Sequence, residues 1–212
     1  MMFLLRVALP DRPGSLGAVA TALGTAGADI QAVEIVEKYE GFAVDDFMVE
    51  VPLGTLPDAL ITACTSIPGV TVLWFSHYPE GWGLQADVAV LDEMTENPDQ
   101  AELILTQAAP TVFRVNWAAQ IDRNDGRVIS RTSMAPKVDR LPLGPLGRLD
   151  APGCVELADG WLPGWPEMLI ATAPFKTRAA TSRSALVLAR KGGPAFIKSE
   201  LARLRHLTAL TN

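Results

Sequence analysis

The sequence predicts an α+β protein of two domains, residues 1–80 and residues 84–212, each built around an antiparallel sheet. Three observations lead to this prediction. Strand-like and helix-like segments follow one another as βαββαβ in the first half, and a linker rich in proline and glycine covers residues 79–83. An Asp-Gly turn then joins two strand-like runs in the second half. A chain of 212 residues, 49% of them hydrophobic, is long enough for two small cores.

The first half begins with an apolar strand over residues 3–9, which the turn residues from Pro10 onward bring to an end. Apolar residues then recur at helical spacing over residues 13–26. Pro13 suits the first turn of that helix, and Gly27 ends it.

Two β-rich runs follow, at residues 30–37 and 42–51, and the short polar connection between them contains the glycine typical of a hairpin loop. A second helix precedes a fourth strand at residues 70–78, and Thr55 with Asp58 resembles a capping box at the start of that helix. The order of these elements is ferredoxin-like, with two helices on one face of a four-stranded antiparallel sheet.

In the second half, the sequence pattern predicts a helix over residues 84–94 and a second helix that ends at Pro110. It then predicts a hairpin of strands at residues 112–122 and 127–133. Residues 135–166 are rich in proline and glycine, so this irregular segment either covers a pocket or is a long surface excursion. Two strands and a final helix complete this half: residues 168–174, residues 185–190, and the helix that carries Leu201, Leu204 and Leu207.

Composition and charge argue against several classes of function. The 24 acidic and 18 basic residues give a net charge of -6, which disfavours a nucleic acid or an anionic membrane as partner. No apolar run approaches the roughly 18 residues of a membrane helix, and no signal peptide is evident. We therefore expect a cytoplasmic protein. Cys64 and Cys154 lie in no metal-binding motif, so we expect free thiols and no cofactor.

Acid–base catalysis has few candidate residues in this chain. His77 and His206 are the only histidines, and neither lies in a motif. Asp45 and Asp46 are adjacent and point apart on a strand, so we interpret them as solvated charges rather than a catalytic pair. The sequence therefore favours a protein that is not an enzyme.

The turn between the first strand and the first helix carries the clearest motif. It contains Asp11-Arg12-Pro13-Gly14-Ser15-Leu16, and Gly27-Ala28-Asp29-Ile30 leads into the second strand. Over residues 3–78 the sequence resembles the ACT domain family, whose hallmark is a D/N-R-P-G-x-L turn before a helix and a G-A/V-D/N-I start of the second strand. The resemblance implies a site for a small ligand at the interface of a homodimer, where this turn faces strands of the other subunit.

The chemistry of this turn suits a free amino acid. The N-terminus of a helix has unpaired N–H groups and a positive partial charge, so the backbone of Gly14, Ser15 and Leu16 can bind a carboxylate. Asp11 and Asp29 supply acceptors for an ammonium group. The candidate ligand-binding residues are Asp11, Arg12, Pro13, Gly14, Ser15, Leu16, Asp29 and Ile30.

Two functions remain open for the first domain. One is an amino-acid-binding regulator that couples its ligand to the second domain. The other is a dimerisation or protein-interaction scaffold without a small ligand, since Asp-Arg-Pro-Gly is also good turn chemistry and many ACT domains bind nothing. For the first function we expect Gly14→Val to abolish binding and spare the fold, because Pro13 and Leu16 would fix the turn without help from residue 14.

The second half resembles a GAF domain through the order of its segments. Those segments are a helix with Leu91, a helix ending in Ala109-Pro110, a hairpin through Trp117-Ala118-Ala119-Gln120-Ile121 and Gly126-Arg127-Val128, then Ala173-Pro174-Phe175, Ser184-Ala185-Leu186-Val187-Leu188 and Gly193-Pro194-Ala195-Phe196. The resemblance covers residues 84–210 and implies an α+β domain with a central antiparallel sheet. It implies a sensory or interaction role, and the signature of the cyclic-nucleotide binders is absent.

Overall fold

A computed structural model describes residues 1–77, 84–176 and 183–211. The chain divides into two compact units, Met1–Glu80 and Gly81–Asn212. Each unit combines helices with one antiparallel sheet, so the α+β class is confirmed. The linker predicted at residues 79–83 lies outside the described residues.

The first unit has the predicted βαββαβ order. Its elements are β1 (Met2–Pro10), α1 (Ser15–Thr25), β2 (Asp29–Tyr39), β3 (Phe42–Glu50), α2 (Pro57–Thr65) and β4 (Thr71–His77). The four strands pair antiparallel in the order β2-β3-β1-β4. This arrangement places β1 and β3 in the centre and leaves β2 and β4 as edges, as a ferredoxin-like sheet requires.

The core of the first unit lies between α1, α2 and one face of the sheet. Alternate residues of the central strands share that face, so Leu5, Val7 and Phe47 all point into the same apolar cluster. Val19 of α1 and Leu60 of α2 meet them there and are fully buried. Each such side chain contributes roughly 1.5–3 kcal/mol on burial, which anchors both helices to the sheet.

The start of α2 differs from the predicted capping box. The N-cap residue is Leu56, in an extended conformation, and no side chain of the described residues caps this helix. Pro57 occupies the first helical position, where its fixed φ angle favours the helix and its missing N–H is not needed. The prediction for Thr55 and Asp58 was therefore wrong, because the proline sets the start of the helix one residue later than the pattern suggested.

The second unit contains a five-stranded antiparallel sheet in the order β6-β5-β9-β8-β7. Its elements are α3 (Leu84–Glu96), α4 (Ala101–Phe113), β5 (Trp117–Asp122), β6 (Val128–Arg131), α5 (Leu143–Leu146), β7 (Gly153–Leu157), β8 (Met168–Pro174), β9 (Ser184–Arg190) and α6 (Lys198–Ala209), with a short 3-10 turn at Pro98–Gln100. The sheet is buried on both faces. One face packs against α3, α4 and α6, and the other packs against α5 and the irregular segment around it.

The irregular segment at residues 135–166 is more ordered than the sequence suggested. It contains α5 and β7, and its apolar residues cover one face of the sheet as a core layer. Trp161 and Trp165 pack against this layer, and the Trp165 ring meets the Trp117 ring edge-on at 5.9 Å between centroids. The sequence left open whether this segment covers a pocket or is a surface excursion. In the structure, much of the segment packs into the core of the second unit.

The helix predicted to end at Pro110 continues to Phe113. It ends at Arg114, which takes a left-handed conformation with φ of 54°. Val112 and Phe113 are buried in the core of the second unit, and this burial outweighs the local cost of a proline near the end of the helix. The following strand therefore starts at Trp117 rather than at residue 112.

None of the helices that the structure describes is both long enough and apolar enough to cross a membrane.

Candidate functional site

The loop between β1 and α1 contains the residues that the motif identified. Asp11 N–H donates to the carbonyl of Gly41 at 2.8 Å, which ties the loop to the β2–β3 hairpin. Arg12 N–H donates to Pro10 O at 2.9 Å, and Ser15 N–H donates to Arg12 O at 3.2 Å. Most of the loop is exposed to solvent, so a ligand has access to it.

Gly14 is the N-cap of α1 and has a φ angle of +92°. Residues with a side chain rarely adopt this conformation, although a Cβ placed here would meet no atom within 4 Å. The expectation that Pro13 and Leu16 fix the turn without help from residue 14 was therefore wrong, and the effect of a valine on the fold stays a prediction. Gly14 sets the backbone path into the helix, and a substitution acts on both the loop and any ligand.

The first turn of α1 leaves N–H groups without acceptors. Ala18 N–H donates to Gly14 O at 2.9 Å as the first bond of the helix. The N–H groups of Leu16 and Gly17 come before that bond, so the helix supplies no acceptor for them. No side chain of the described residues caps α1. These two N–H groups are available to an anion.

Leu16 does not anchor the loop as the sequence suggested. Its side chain is 37% exposed, whereas Val19 and Leu23 are fully buried and hold α1 on the sheet. The helical repeat was correct for the later turns, but the first turn projects beyond the edge of the core. An exposed leucine beside free N–H groups leaves an apolar contact available to a ligand.

Besides Lys38, which is described below, Asp45 is a residue of this region that the sequence interpretation did not place in the site. It shares a face of β3 with Ala43 and Phe47, which belong to the apolar cluster under the helices, and it lies opposite Val7 of β1. Only 2% of Asp45 is exposed, and its Oδ1 atom has no hydrogen-bond partner among the described residues. The description of Asp45 as a solvated charge was wrong.

Burial raises the pKa of the Asp45 carboxyl above its ordinary value of 3.8. The positive charge of Lys38 opposes this effect, and the negative charges of Asp11 and Asp46 reinforce it. The charge of Asp11 in the β1–α1 loop therefore acts on the Asp45 carboxyl. Its carboxylate lacks a fully effective counter-charge, and a cation would supply one.

Lys38 joins the loop to the edge strand. Its Nζ atom donates to Asp11 Oδ1 at 2.8 Å, and both side chains are largely exposed. An exposed ion pair of this kind is worth only about 0–1 kcal/mol, so either partner can exchange to a ligand at little cost. Lys38 was not identified from the sequence, and only the register of β2 on β3 reveals its position.

Asp46 also proves to be buried, yet its surroundings differ from those of Asp45. It lies on the opposite face of the sheet, and Arg6 of β1 donates to both its oxygens, Nε to Oδ1 at 2.8 Å and Nη2 to Oδ2 at 2.9 Å. Both residues are almost fully buried. This two-fold contact satisfies the Asp46 carboxylate within the chain, so Asp46 is a structural charge and was wrongly described as solvated.

Asp29 and Ile30 lie at the other end of the sheet from the loop. Asp29 pairs with Glu50 at the start of β2, whereas Tyr39 pairs with Phe42 at the end nearest Asp11. Asp29 and Lys38 are nine residue steps apart along the strand, which is about 30 Å at roughly 3.3 Å per step. The structure therefore does not bring Asp29 to Asp11 within one chain. Gln31 Nε2 donates to the Asp29 carboxylate at 2.8 Å.

The two histidines and the two cysteines considered in the sequence analysis lie outside the β1–α1 loop. The His77 ring packs on Phe3 at 4.5 Å between centroids, and His206 is exposed on α6. Both cysteines are free thiols. Cys64 is buried, which raises its pKa to about 11, and Cys154 is exposed. No group of three or more potential metal ligands occurs in the described parts of the chain.

Arg190 and Glu200 form a buried polar cluster in the second unit. Arg190 is 1% exposed and donates to the carbonyls of Phe113 and Pro194 and to the Glu200 carboxylate, all within 3.0 Å. Glu200 in turn accepts from Ile197 N–H at the start of α6. Arg190 thus fastens α4, β9 and α6 together, and it is a structural residue.

Comparisons with known proteins give no family assignment. No family model and no curated protein matches the sequence. Among solved structures, a formyltetrahydrofolate deformylase from Pseudomonas putida KT2440 is 10% identical, with 46% of this chain covered, 39% of that chain covered and a TM-score of 0.31. A GAF domain from Pseudomonas syringae pv. tomato is 19% identical, with 60% and 81% covered and a TM-score of 0.42. An unknown protein from Galdieria sulphuraria is 11% identical, with 89% and 80% covered and a TM-score of 0.29.

This chain thus spans about two fifths of the deformylase. At such identities and TM-scores these likenesses carry no argument about function. The fold assignment rests on the strand order and element order of the chain itself.

Proposed function

We propose that the first unit binds a free amino acid beside the β1–α1 loop, and that the protein is a non-catalytic regulator. One observation carries this proposal: a carboxylate, Asp45, is buried without a partner for Oδ1 at the end of the sheet where the loop lies. An unsatisfied buried polar group costs roughly 1–3 kcal/mol. Such a cost is typical of a site that is completed by its ligand.

Each end of an amino acid has a matching group here. The ammonium group suits Asp45 and Asp11, and the carboxylate suits Lys38 and the two N–H groups at the start of α1. In this arrangement the ligand separates Lys38 from Asp11 and pairs with both. A neutral sugar or an apolar molecule would leave the two charges of opposite sign unused.

A homodimer that pairs two β2 edges would complete the site. β2 is an edge strand of eleven residues with Val33, Ile35 and Tyr39 exposed. Antiparallel pairing about a two-fold axis through the middle of β2 would bring Asp29 of the partner subunit to the Tyr39 end, beside Lys38. This pairing explains how the motif residues Asp11 and Asp29, far apart in one chain, can serve one ligand.

The second unit is proposed to transmit the state of this site, in keeping with the resemblance of its sequence segments to a GAF domain. No acid–base pair involving a histidine forms near the loop in the described residues, since the His77 ring packs on Phe3. We therefore assign no reaction to the site. The cytoplasm, with its pool of free amino acids, is the compartment in which we expect this protein to act.

The alternative of a scaffold without a small ligand is favoured by one observation. The apolar residues exposed on β2 suit strand pairing whether or not a ligand is present. The two functions differ in their response to amino acids, so a binding experiment distinguishes them.

A thermal-shift screen of the full chain against the twenty amino acids tests the proposal. We expect one amino acid or a chemically related few to raise the Tm of the wild type, since a ligand selective for the folded state stabilises it. Asp45→Asn should lose this response, and Asp58→Asn, which removes an exposed acid of the same unit, should keep it. No response of the wild type to any amino acid, or an equal response of Asp45→Asn, would contradict the proposal.

The dimer is tested by light scattering on the full chain. Ile35→Glu places a charge in the middle of the β2 edge, and we expect it to convert a dimer to a monomer at micromolar concentration. Ile129→Glu, at a partly exposed apolar position on the edge strand of the other sheet, is the matched control and should leave the dimer intact. A wild type that is monomeric throughout would contradict the pairing of β2 edges.

A further inference from the structure

We propose a second ligand site, for a small molecule that carries an oxyanion, in the second unit. A cleft of about 350 Å³ lies at one end of its sheet. The residues that line it come from the β5–β6 turn, from the residue before β9 and from the segment after α5: Arg123, Asn124, Leu149, Asp150 and Arg183. This site does not depend on the amino-acid site of the first unit.

The backbone holds the two arginines side by side. Asp122, the last residue of β5, pairs with Ser184, the first residue of β9. Arg123 follows Asp122 in the chain, and Arg183 precedes Ser184. Arg123 N–H donates to Arg183 O at 2.7 Å, so the pairing extends to the arginines themselves. Two positive side chains thus leave neighbouring strands at the same end of the sheet.

Neither arginine donates a hydrogen bond to a carboxylate among the described residues. Arg183 Nη1 donates to the neutral oxygen of Asn124 at 3.3 Å, and Arg123 Nη1 makes a long contact of 3.4 Å with Leu149 O. The Nε atom of Arg123 is buried, and no acceptor among the described residues binds it. Leaving a buried charged donor without an acceptor is costly, so an acceptor from outside is favoured.

Asp150 lines the same cleft but its charge is already engaged. Arg148 donates to both its oxygens, Nε to Oδ1 at 3.1 Å and Nη2 to Oδ2 at 2.7 Å. That contact lowers the pKa of the Asp150 carboxyl, with a smaller contribution from Arg123. Arg148 is thus the principal partner of Asp150, which offsets the charge of Arg123 only in part.

An oxyanion satisfies what the cleft lacks. Carboxylate and phosphate groups present two or more oxygens to the parallel N–H groups of a guanidinium, which makes charge-assisted hydrogen bonds in a fixed geometry. A cleft of this volume also admits a small organic body attached to the anion. The shared chemistry of both candidate ligands is the oxyanion, and experiment distinguishes carboxylate from phosphate.

Titration of the full chain with inorganic phosphate, and separately with acetate, tests the site by calorimetry at constant ionic strength. We expect saturable binding of at least one anion by the wild type. Arg183→Gln removes one exposed guanidinium and should weaken binding about tenfold or more, the equivalent of one charge-assisted hydrogen bond. Arg127→Gln, which removes an exposed arginine of the same turn that does not line the cleft, should change affinity less than about twofold.

Arg123→Lys gives a second test, since it keeps the charge and loses the fork of donors; weaker binding is expected here too. If phosphate binds more tightly than acetate, the ligand is phosphorylated. If acetate binds as tightly as phosphate or more tightly, the ligand carries a carboxylate. Both results support an oxyanion site. The proposal is overturned if the wild type binds neither anion saturably, or if Arg127→Gln weakens binding as much as Arg183→Gln, because diffuse charge would then account for it. Circular dichroism and the Tm of each variant establish that the fold is retained.

Discussion

Asp45 and Asp46 are neighbours on β3, but their carboxylates lie on opposite faces of the sheet and differ in their hydrogen-bond partners. On one face Asp46 is held by two hydrogen bonds from Arg6, so both oxygens of this carboxylate are satisfied within the chain. On the other face Asp45 is equally buried and has an oxygen without a partner, and burial raises its pKa. The comparison teaches that burial of a charge does not by itself indicate a site. A buried charge whose partner is missing is the stronger indication of a ligand.

Arg6→Ala should have the largest effect on stability. It leaves the Asp46 carboxylate buried without its guanidinium, and breaking a buried pair in this way typically lowers the free energy of unfolding by roughly 3–5 kcal/mol. Urea unfolding measures the change. Arg148→Ala, which removes the arginine of the highly exposed pair with Asp150, is the control and should leave the unfolding midpoint almost unchanged. Equal effects of the two variants would show that Asp46 does not depend on Arg6.

Gly14→Ala should lower the free energy of unfolding by about 1–2 kcal/mol, because a residue with a Cβ is strained at a φ of +92°. Gly17→Ala is the matched control: it lies inside α1, its φ is ordinary, and a Cβ there meets nothing within 4 Å. Alanine favours a helix, so this control should stabilise the protein by about 0.5–1 kcal/mol. If both variants were stabilising, Gly14 would have no conformational role in the loop.

Asp45→Asn should stabilise the unliganded protein at neutral pH by on the order of 1 kcal/mol, because it removes a buried charge that lacks a partner. The pKa of Asp45 is raised, so above pH 3.8 the folded chain holds its proton longer than the unfolded chain does. The stability of the wild type therefore falls as the pH rises through that window.

Thermal melts of the wild type and of Asp45→Asn across the acidic range measure this dependence. The advantage of the variant should vanish below the ordinary pKa of aspartate and be complete above the raised pKa of Asp45. An advantage that is the same at every pH would show that it does not come from the charge.

Separating Lys38 from Asp11 should have the smallest effect on stability. In a double-mutant cycle of Lys38→Gln and Asp11→Asn, we expect a coupling energy of about 0.2–1 kcal/mol, which should decrease further at high salt. The same substitutions should weaken ligand binding more than they weaken the fold. A large coupling energy that resists salt would mean that this pair is a structural element like Arg6 and Asp46.

The sequence predicted the order of elements in the first unit because each strand and helix there has a clear period and a clear terminator, such as Pro10 and Gly27. The core positions of α1 followed from the same repeat, except in its first turn, where Leu16 extends past the sheet. Pro110 misled the prediction because burial of Val112 and Phe113 stabilises a helical end that local propensity disfavours. Tertiary packing overrides local preference at such positions.

The candidate site was only partly predictable for a related reason. The β1–α1 loop could be found because its residues are adjacent in sequence. Asp45 and Lys38 join it through the register of β2 and β3, which no local pattern specifies. A signal was nevertheless present, because Asp45 falls between Ala43 and Phe47 at the two-residue spacing of a buried face. Alternation along the strand therefore favoured burial, whereas the polar character of the pair Asp45-Asp46 suggested solvent.

The most direct test of the account is the affinity of the full chain for the amino acid with the largest thermal shift, measured by calorimetry as a function of pH. For the wild type we expect affinity to rise as the pH increases through the raised pKa of Asp45, because the ligand ammonium pairs with the ionised carboxylate. Asp45→Asn should bind at least about tenfold more weakly, with no such rise over the same range. Equal affinities and parallel pH profiles for the two proteins would contradict the claim that Asp45 is the partner of the ligand.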